Sequence, residues 1–191
     1  MQSTIMNDLS EHLSVTQKTI ESIGASIEIA AKICIDCLKN GNKILIFGNG
    51  GSAADAQHIA AEIVGRYKIE RKGLPAIALT TDGSVLTSTS NDYEYSYIFE
   101  RQVEALGNKG DVLIGISTGG TSTNVVNALK ISKKLGCRSI GFSGKGGGEF
   151  NNLCDVNLEV LAKDTARIQE VHILFGHVIC HLIDQAFDNI N

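Results

Sequence analysis

The sequence predicts an α/β fold with a doubly wound parallel sheet of five strands flanked by helices. Three observations predict it. From residue 41 onward, short apolar runs alternate with helical stretches, the pattern of parallel strands joined by crossover helices. Most of these runs are apolar throughout, as strands covered on both faces are. The first four are followed at once by GNGGSAAD, TTDGS, STGGTSTN and SGKGGG, and polar, Gly-rich segments in that position mark the end of an open sheet where ligands bind.

Taken in order, residues 1 to about 40 read as two helices, an N-terminal extension. Met6, Leu9, Leu13 and Ile20 recur at helical spacing, and so do Ile27, Ala30, Ala31, Cys34, Cys37 and Leu38. Asn40-Gly41-Asn42 ends the second of them. Strands are predicted at 43–48, 75–80, 111–116, 138–143 and 155–160, in a flavodoxin-like arrangement. Helices are predicted at 52–67, 93–106, 121–135 and 166–189.

A chain of 191 residues, 43% hydrophobic and 20% charged, suits one domain over 1–191, with helices to residue 40 and the α/β core from 41. The net charge is −4 and no basic stripe is present, so nucleic acid is not an expected partner. No apolar run approaches the ~20 residues of a membrane helix. Five cysteines, an odd number, and an acidic amphipathic N-terminus without an apolar leader point to a reducing cytoplasm. Cys34-x-x-Cys37 falls within a helical apolar pattern and has no second pair, so core packing is expected there, not redox or metal chemistry.

Two loops carry anion-binding chemistry. Asn49-Gly50-Gly51-Ser52 lies between a strand and a helix, where glycine lets the backbone approach a ligand and the helix N-terminus aims N–H groups at an anion. Ser52 can cap that helix and present its hydroxyl. It is not a Walker loop, since no Gly-Lys-Ser/Thr follows. Ser117 to Asn124 (STGGTSTN) puts five hydroxyls into eight residues. One helix cap does not explain five, and a nest for a phosphate dianion does.

The titratable candidates lie on two helices. Asp55, His58 and Glu62 occupy the first. His58 and Glu62, four apart, share a face and can ligate one divalent metal or make an ordinary surface contact. Gln169, His172 and His177 lie on the last helix, in a segment apolar almost all round, so each polar group there needs a buried partner. Gln169 and His177 are separated by a rise of ~12 Å. Either both side chains stretch toward one ion or they come from different subunits.

With these residues in view, the chain resembles the bacterial phosphoheptose isomerases (sedoheptulose 7-phosphate isomerases) of the sugar-isomerase (SIS) domain superfamily. The likeness rests on GNGGSAADAQHIAAE at 48–62, GRYKIERKGLPAIALTTD at 65–82, NDYEYSYIFERQVEALGNKGDVLIGIST at 91–118, SGKGGG at 143–148 and DTARIQEVHILFGHVICHLID at 164–184. The resemblance implies an SIS fold and conversion of sedoheptulose 7-phosphate to D-glycero-D-manno-heptose 7-phosphate through an enediol, the first step toward ADP-heptose and lipopolysaccharide. It implies a homotetramer and one zinc per subunit. It assigns the metal to His58, Glu62, Gln169 and His177, with Glu62 and His177 as catalytic base and acid. Substrate contacts fall on Asn49, Gly50, Gly51, Ser52, Glu62, Asn91, Asp92, Ser117, Thr118, Gly119, Ser122 and Gln169.

The chain departs from the family's S-T-S-G-N-S by reading Ser117-Thr118-Gly119-Gly120-Thr121-Ser122. One hydroxyl is lost at 119, where the backbone N–H remains. Losing such a bond to a charged group costs ~1.5–3 kcal/mol if nothing replaces it. Gly83 and Ser90 also depart from the usual residues. Two alternatives stay open: a non-catalytic SIS regulator of the kind that binds a replication initiator, and an isomerase for a related sugar phosphate.

Overall fold

The computed structural model describes residues 1–188. Its elements run α1 (Gln2–Lys39), β1 (Ile44–Gly48), α2 (Gly51–Val64), β2 (Ala76–Ala78), α3 (Gly83–Asp92), a 3-10 turn (Tyr95–Tyr97), α4 (Glu100–Leu106), β3 (Val112–Ile116), α5 (Thr123–Leu135), β4 (Arg138–Gly144), α6 (Phe150–Leu153), β5 (Val156–Val160) and α7 (Thr165–Phe187). All strand pairs are parallel, in the order β2-β1-β3-β4-β5. The expected five-stranded sheet with an N-terminal helical extension is present.

Side-chain alternation along the strands builds two cores. Ile44 and Ile46 of β1, with Val112, Ile114 and Ile116 of β3, face α1, α2 and α7. Leu45, Phe47 and Leu113 face α4, α5 and α6. Strands apolar at every position are therefore what this sheet requires.

The N-terminal extension corrects the sequence reading: it is one 38-residue helix, not two. No proline interrupts it, and Gly24 sits in its interior with nothing within 4 Å of the Cβ it lacks, a propensity loss of only ~1 kcal/mol that packing elsewhere overcomes. Its C-terminal half is buried through Ala30, Ala31, Cys34 and Cys37. Its N-terminal half exposes Ile5, Met6, Leu9, Leu13 and Ile20. All five cysteines are free. Burial pushes the thiols of Cys34 and Cys37 up, that of Cys37 to about 12, which fits the packing role expected of them.

Three further boundaries differ. The predicted helix 93–106 is replaced by the 3-10 turn and the short α4, and α3 precedes them where a loop was expected. Asp82 caps α3, its carboxylate accepting from the Val85 N–H. α2 stops at Val64, before Gly65, and not at residue 67. The predicted end of the last helix, residue 189, lies outside the described residues.

The strand order reverses direction at β1 and β3: the chain moves from β1 outward to β2, then returns to β3 on the other side. This is the switch point at which such sheets bind ligands. α7 then folds back beside α2. Gly51 meets Gln169, and a Cβ at Gly176 would lie 2.6 Å from the Ile59 side chain, so the two helices run parallel and close.

Candidate active site

Beyond the carboxyl ends of β1 and β3 lies a cavity of about 280 Å³. It is lined by Asn49, Gly50, Gly51, Ser52, Ile116, Ser117, Thr118, Ser122, Thr165 and Gln169. Asn49 is locked by a reciprocal amide pair with Asn124 (2.8 and 2.9 Å), and its Oδ1 also accepts from the Tyr95 hydroxyl at 2.9 Å. Ser117 and Ser122 face each other at 2.9 Å.

Side chains cap some helix starts and not others, α1, α4 and α6 being uncapped. α3 and α7 are capped by the carboxylates of Asp82 and Asp164. α2 and α5 begin with no side-chain cap at all. Ser52 does not cap α2, as the sequence suggested it could; it lies in the first turn, behind the N-cap Gly50. Ser122 holds the N-cap position of α5, but its hydroxyl turns to Ser117. The N–H groups of Ser52 and Ala53 already donate to the Asn49 and Gly50 carbonyls, and that of Val125 to Ser122, so the cradle offers an anion the first N–H groups of each helix beside its hydroxyls.

Two turns along α2, three titratable groups converge. His58 Nε2 lies 3.2 Å from Glu62 Oε1 and 3.4 Å from His177 Nε2. All three donor atoms lie within 4.8 Å of one another. Two imidazole nitrogens and a carboxylate oxygen are the donor set of a catalytic zinc site with an open position. On the residues present, a divalent metal fits His58, Glu62 and His177.

Burial, and then the facing His58 imidazole, hold His177 below the usual imidazole value. Its ring is stacked on Tyr67 at 5.2 Å, with planes 17° apart. The segment carrying Tyr67 is pinned from below. Asp184, on α7, accepts from the backbone N–H groups of Lys68 (2.6 Å) and Ile69 (2.9 Å) and from Arg71 Nε (2.7 Å). Arg71 donates onward to the carbonyls of Glu62 and Ile63, closing the C-terminal end of α2 just beyond the triad.

The structure brings together Asn49, Gly50, Gly51, Ser52, Ser117, Thr118 and Ser122 in the cradle, and His58, Glu62 and His177 in the triad. Gly119 stands in the same loop, next to Thr118. Gln169, which the sequence reading groups with these three as a metal ligand, lies two turns before His177 on α7. Its carboxamide lies against Gly51 and lines the cradle. Asn91 and Asp92 are exposed at the end of α3, hydrogen-bonded to each other (2.9 Å), and line neither half. His172 is a core residue. It is buried, one ring nitrogen pairs with the Ser143 carbonyl at 2.9 Å, and burial lowers its pKa to about 4.

Asp55 lies between the halves, one turn before His58. One of its carboxylate oxygens is buried without a partner, and burial pushes the group up to about 6. Tyr95, Asn124 and Thr165 were missed by sequence reasoning. Only Asn124 carried a signal there, as the polar residue that ends the hydroxyl-rich loop.

Among the described residues, no helix is long and apolar enough to cross a membrane. The SIS domain family model matches residues 9–144. A protein of Aliarcobacter butzleri (strain RM4018) named phosphoheptose isomerase is 60% identical over 184 residues, which cover 96% of this chain and 97% of that protein. One of Campylobacter concisus (strain 13826), with the same name, is 54% identical, covering 98% of each. The solved structure of phosphoheptose isomerase from Neisseria gonorrhoeae superposes with a TM-score of 0.92 at 43% identity, covering 96% of this chain and 98% of its own.

Proposed function

Because the chain belongs to the SIS domain family and, within it, to the phosphoheptose isomerases, we propose that it converts sedoheptulose 7-phosphate to D-glycero-D-manno-heptose 7-phosphate. The observation that carries this reading is an anion cradle at the starts of α2 and α7 with an acid–base triad further along the same two helices. Ser52 and His58 are separated by a helix rise of about 9 Å. A seven-carbon chain with phosphate at the end remote from its carbonyl spans a similar length.

In this reading the phosphate sits on the N–H groups and hydroxyls of Asn49 to Ser52, Ser117 to Gly119 and Ser122, with Gln169 beside it. Asn91 and Asp92 add sugar contacts, supported by Tyr95, three residues on, which already reaches Asn49. Glu62 removes a proton from C1 of the ketose and returns it to C2. His177 gives a proton to the C2 oxygen and takes one from the C1 oxygen, so the enediol forms and collapses with protons in balance. Glu62 Oε1 faces His58, and the second carboxylate oxygen is left to act as the base.

His58, Glu62 and His177 would hold a zinc ion. When bound, such an ion supplies Lewis-acid polarisation of the sugar's carbonyl and hydroxyl oxygens. Gln169 would complete that ligand set, as the sequence reading has it, and would also contact the substrate. The exposed Ile5, Met6, Leu9, Leu13 and Ile20 along α1 support burial against further copies of the chain, and a homotetramer is proposed. We place the reaction in the cytoplasm, at the start of ADP-heptose and lipopolysaccharide synthesis, in a single SIS domain over residues 1–191.

His177→Ala tests the triad. The variant is expected to lose zinc affinity by about 100-fold or more and to lose aldose formation with it, since one of the ligands is gone. Zinc titration by calorimetry, with aldose formation followed on the same samples, provides the check. Parental zinc affinity together with parental activity would remove His177 from the site.

A further inference from the structure

We propose that Thr165 is a further contact for the substrate's phosphate, and that Lys145 positions its hydroxyl and supplies the positive charge the cradle lacks. This rests on the reading of the cradle as a phosphate site. None of the ten residues lining the cavity is cationic, although a dianion held through a charge-assisted network is bound far better than one held by neutral donors alone.

Among the described residues, Lys145 is the one Lys or Arg whose side chain hydrogen-bonds a cradle residue. Its Nζ donates to Thr165 Oγ1 at 3.0 Å. Because that oxygen accepts from the ammonium, the threonine's own O–H is free to donate elsewhere, and Thr165 lines the cavity. The backbone at the start of α7 offers the anion less. Asp164 already accepts from the N–H groups of Ala166 and Arg167. The Thr165 hydroxyl is therefore what α7 contributes at this point.

The backbone at Lys145 supports a functional role. It is the one non-glycine residue with positive φ, +56°, among the described residues, and such a conformation persists only where the surroundings hold it. They do so here. Lys145 N–H donates to the Ala162 carbonyl (3.2 Å) and Gly146 N–H to Glu159 Oε1 (2.8 Å). The next residues interlock with the cradle loop. A Cβ at Gly120 would overlap the Gly147 carbonyl oxygen, and one at Gly148 would overlap that of Gly119. Glu149 N–H closes the junction on the Gly120 carbonyl at 3.0 Å. The lysine thus stands on backbone keyed to the loop that carries Ser117, Thr118 and Ser122. This gives SGKGGG a purpose, and it offsets the hydroxyl that Gly119 does not supply.

The test is calorimetric titration of the full-length protein with inorganic phosphate at fixed ionic strength. Lys145→Ala and Thr165→Val are each expected to weaken phosphate about 10- to 100-fold, and Lys145→Arg to restore most of the loss. The double variant should lose less than the product of the two single effects, since the lysine acts in part through the threonine. With sedoheptulose 7-phosphate, KM should rise by the same factor, the loss falling on KM more than on kcat. A phosphate Kd within twofold of the parent in Lys145→Ala would overturn the proposal, and so would a double variant that loses the product of the two single effects. Lys145-dependent phosphate binding in a protein that does not turn over the sugar would uphold this inference and overturn the substrate. A parent that binds no phosphate overturns both.

Discussion

Glu62→Gln is expected to reduce isomerase turnover by about 10²- to 10⁴-fold, the range a positioned general base contributes, while the folded protein survives. The reason lies in which atoms of Glu62 do structural work. Its backbone carbonyl accepts from Arg71 Nη2 at 3.0 Å, and that bond is indifferent to the side chain. Among the described residues the carboxylate itself pairs only with His58, at 3.2 Å, and a glutamine amide has nearly the same shape there. The variant should therefore melt within a few degrees of the parent yet fail to move the proton between C1 and C2. Turnover close to parental in a metal-loaded Glu62→Gln would remove Glu62 as the base and direct attention to Asp55, the half-buried carboxyl one turn before His58.

Asp184→Ala should have the largest effect on stability. The Asp184 and Arg71 side chains are 0% and 2% exposed. Removing the carboxylate leaves a buried guanidinium and two backbone N–H groups unpaired, a loss of about 3–5 kcal/mol. For a chain of this length, that corresponds to a fall in Tm of roughly 10 °C or more. Thermal melts on the apo protein measure it, and a fall of under about 3 °C would refute the clamp. Burial alone would raise this carboxyl's pKa. The N–H groups of Ile69 and Lys68, with Arg71, outweigh burial and hold it below the usual carboxylate range. Its contribution to stability is therefore complete above about pH 4, the unfolded value, and is lost as pH falls through the lower folded value. The gap in Tm between parent and variant should narrow in that acid window and not above it. The same residue orients the segment that lays Tyr67 on His177, so the variant should also bind zinc more weakly.

Much of the sheet was legible because parallel strands write a plain pattern: KILIFG and DVLIGI are apolar on both faces and end in glycine or hydroxyl residues. The two loops of the cradle were legible for the same reason, since they fall where strand chemistry changes abruptly. α3 was not. GSVLTSTSND buries only Thr89 and has no apolar stripe, so its helix depends on the Asp82 cap and on its neighbours. The continuity of α1 was hidden by Gly24 and by a stripe whose first half is exposed. Residues on one helix, such as His58 and Glu62, could be paired by counting. The Arg71–Asp184 clamp spans 113 residues and the Asn49–Asn124 pair spans 75, and neither leaves a local trace. Gln169 shows the limit of counting: helix rise put it far from His177, but only the parallel packing of α2 and α7 showed that its partner is Gly51.

The central claim, that cradle and triad act on one sugar phosphate, is tested most directly by NMR. The zinc-loaded protein is incubated with sedoheptulose 7-phosphate in D₂O, and the chelated protein serves as control. The account predicts signals of D-glycero-D-manno-heptose 7-phosphate, with deuterium entering C2 to the extent that the proton on Glu62 exchanges with solvent, and none after chelation. A zinc-loaded sample that leaves the ketose unchanged, with no deuterium entering C1 or C2, would contradict it.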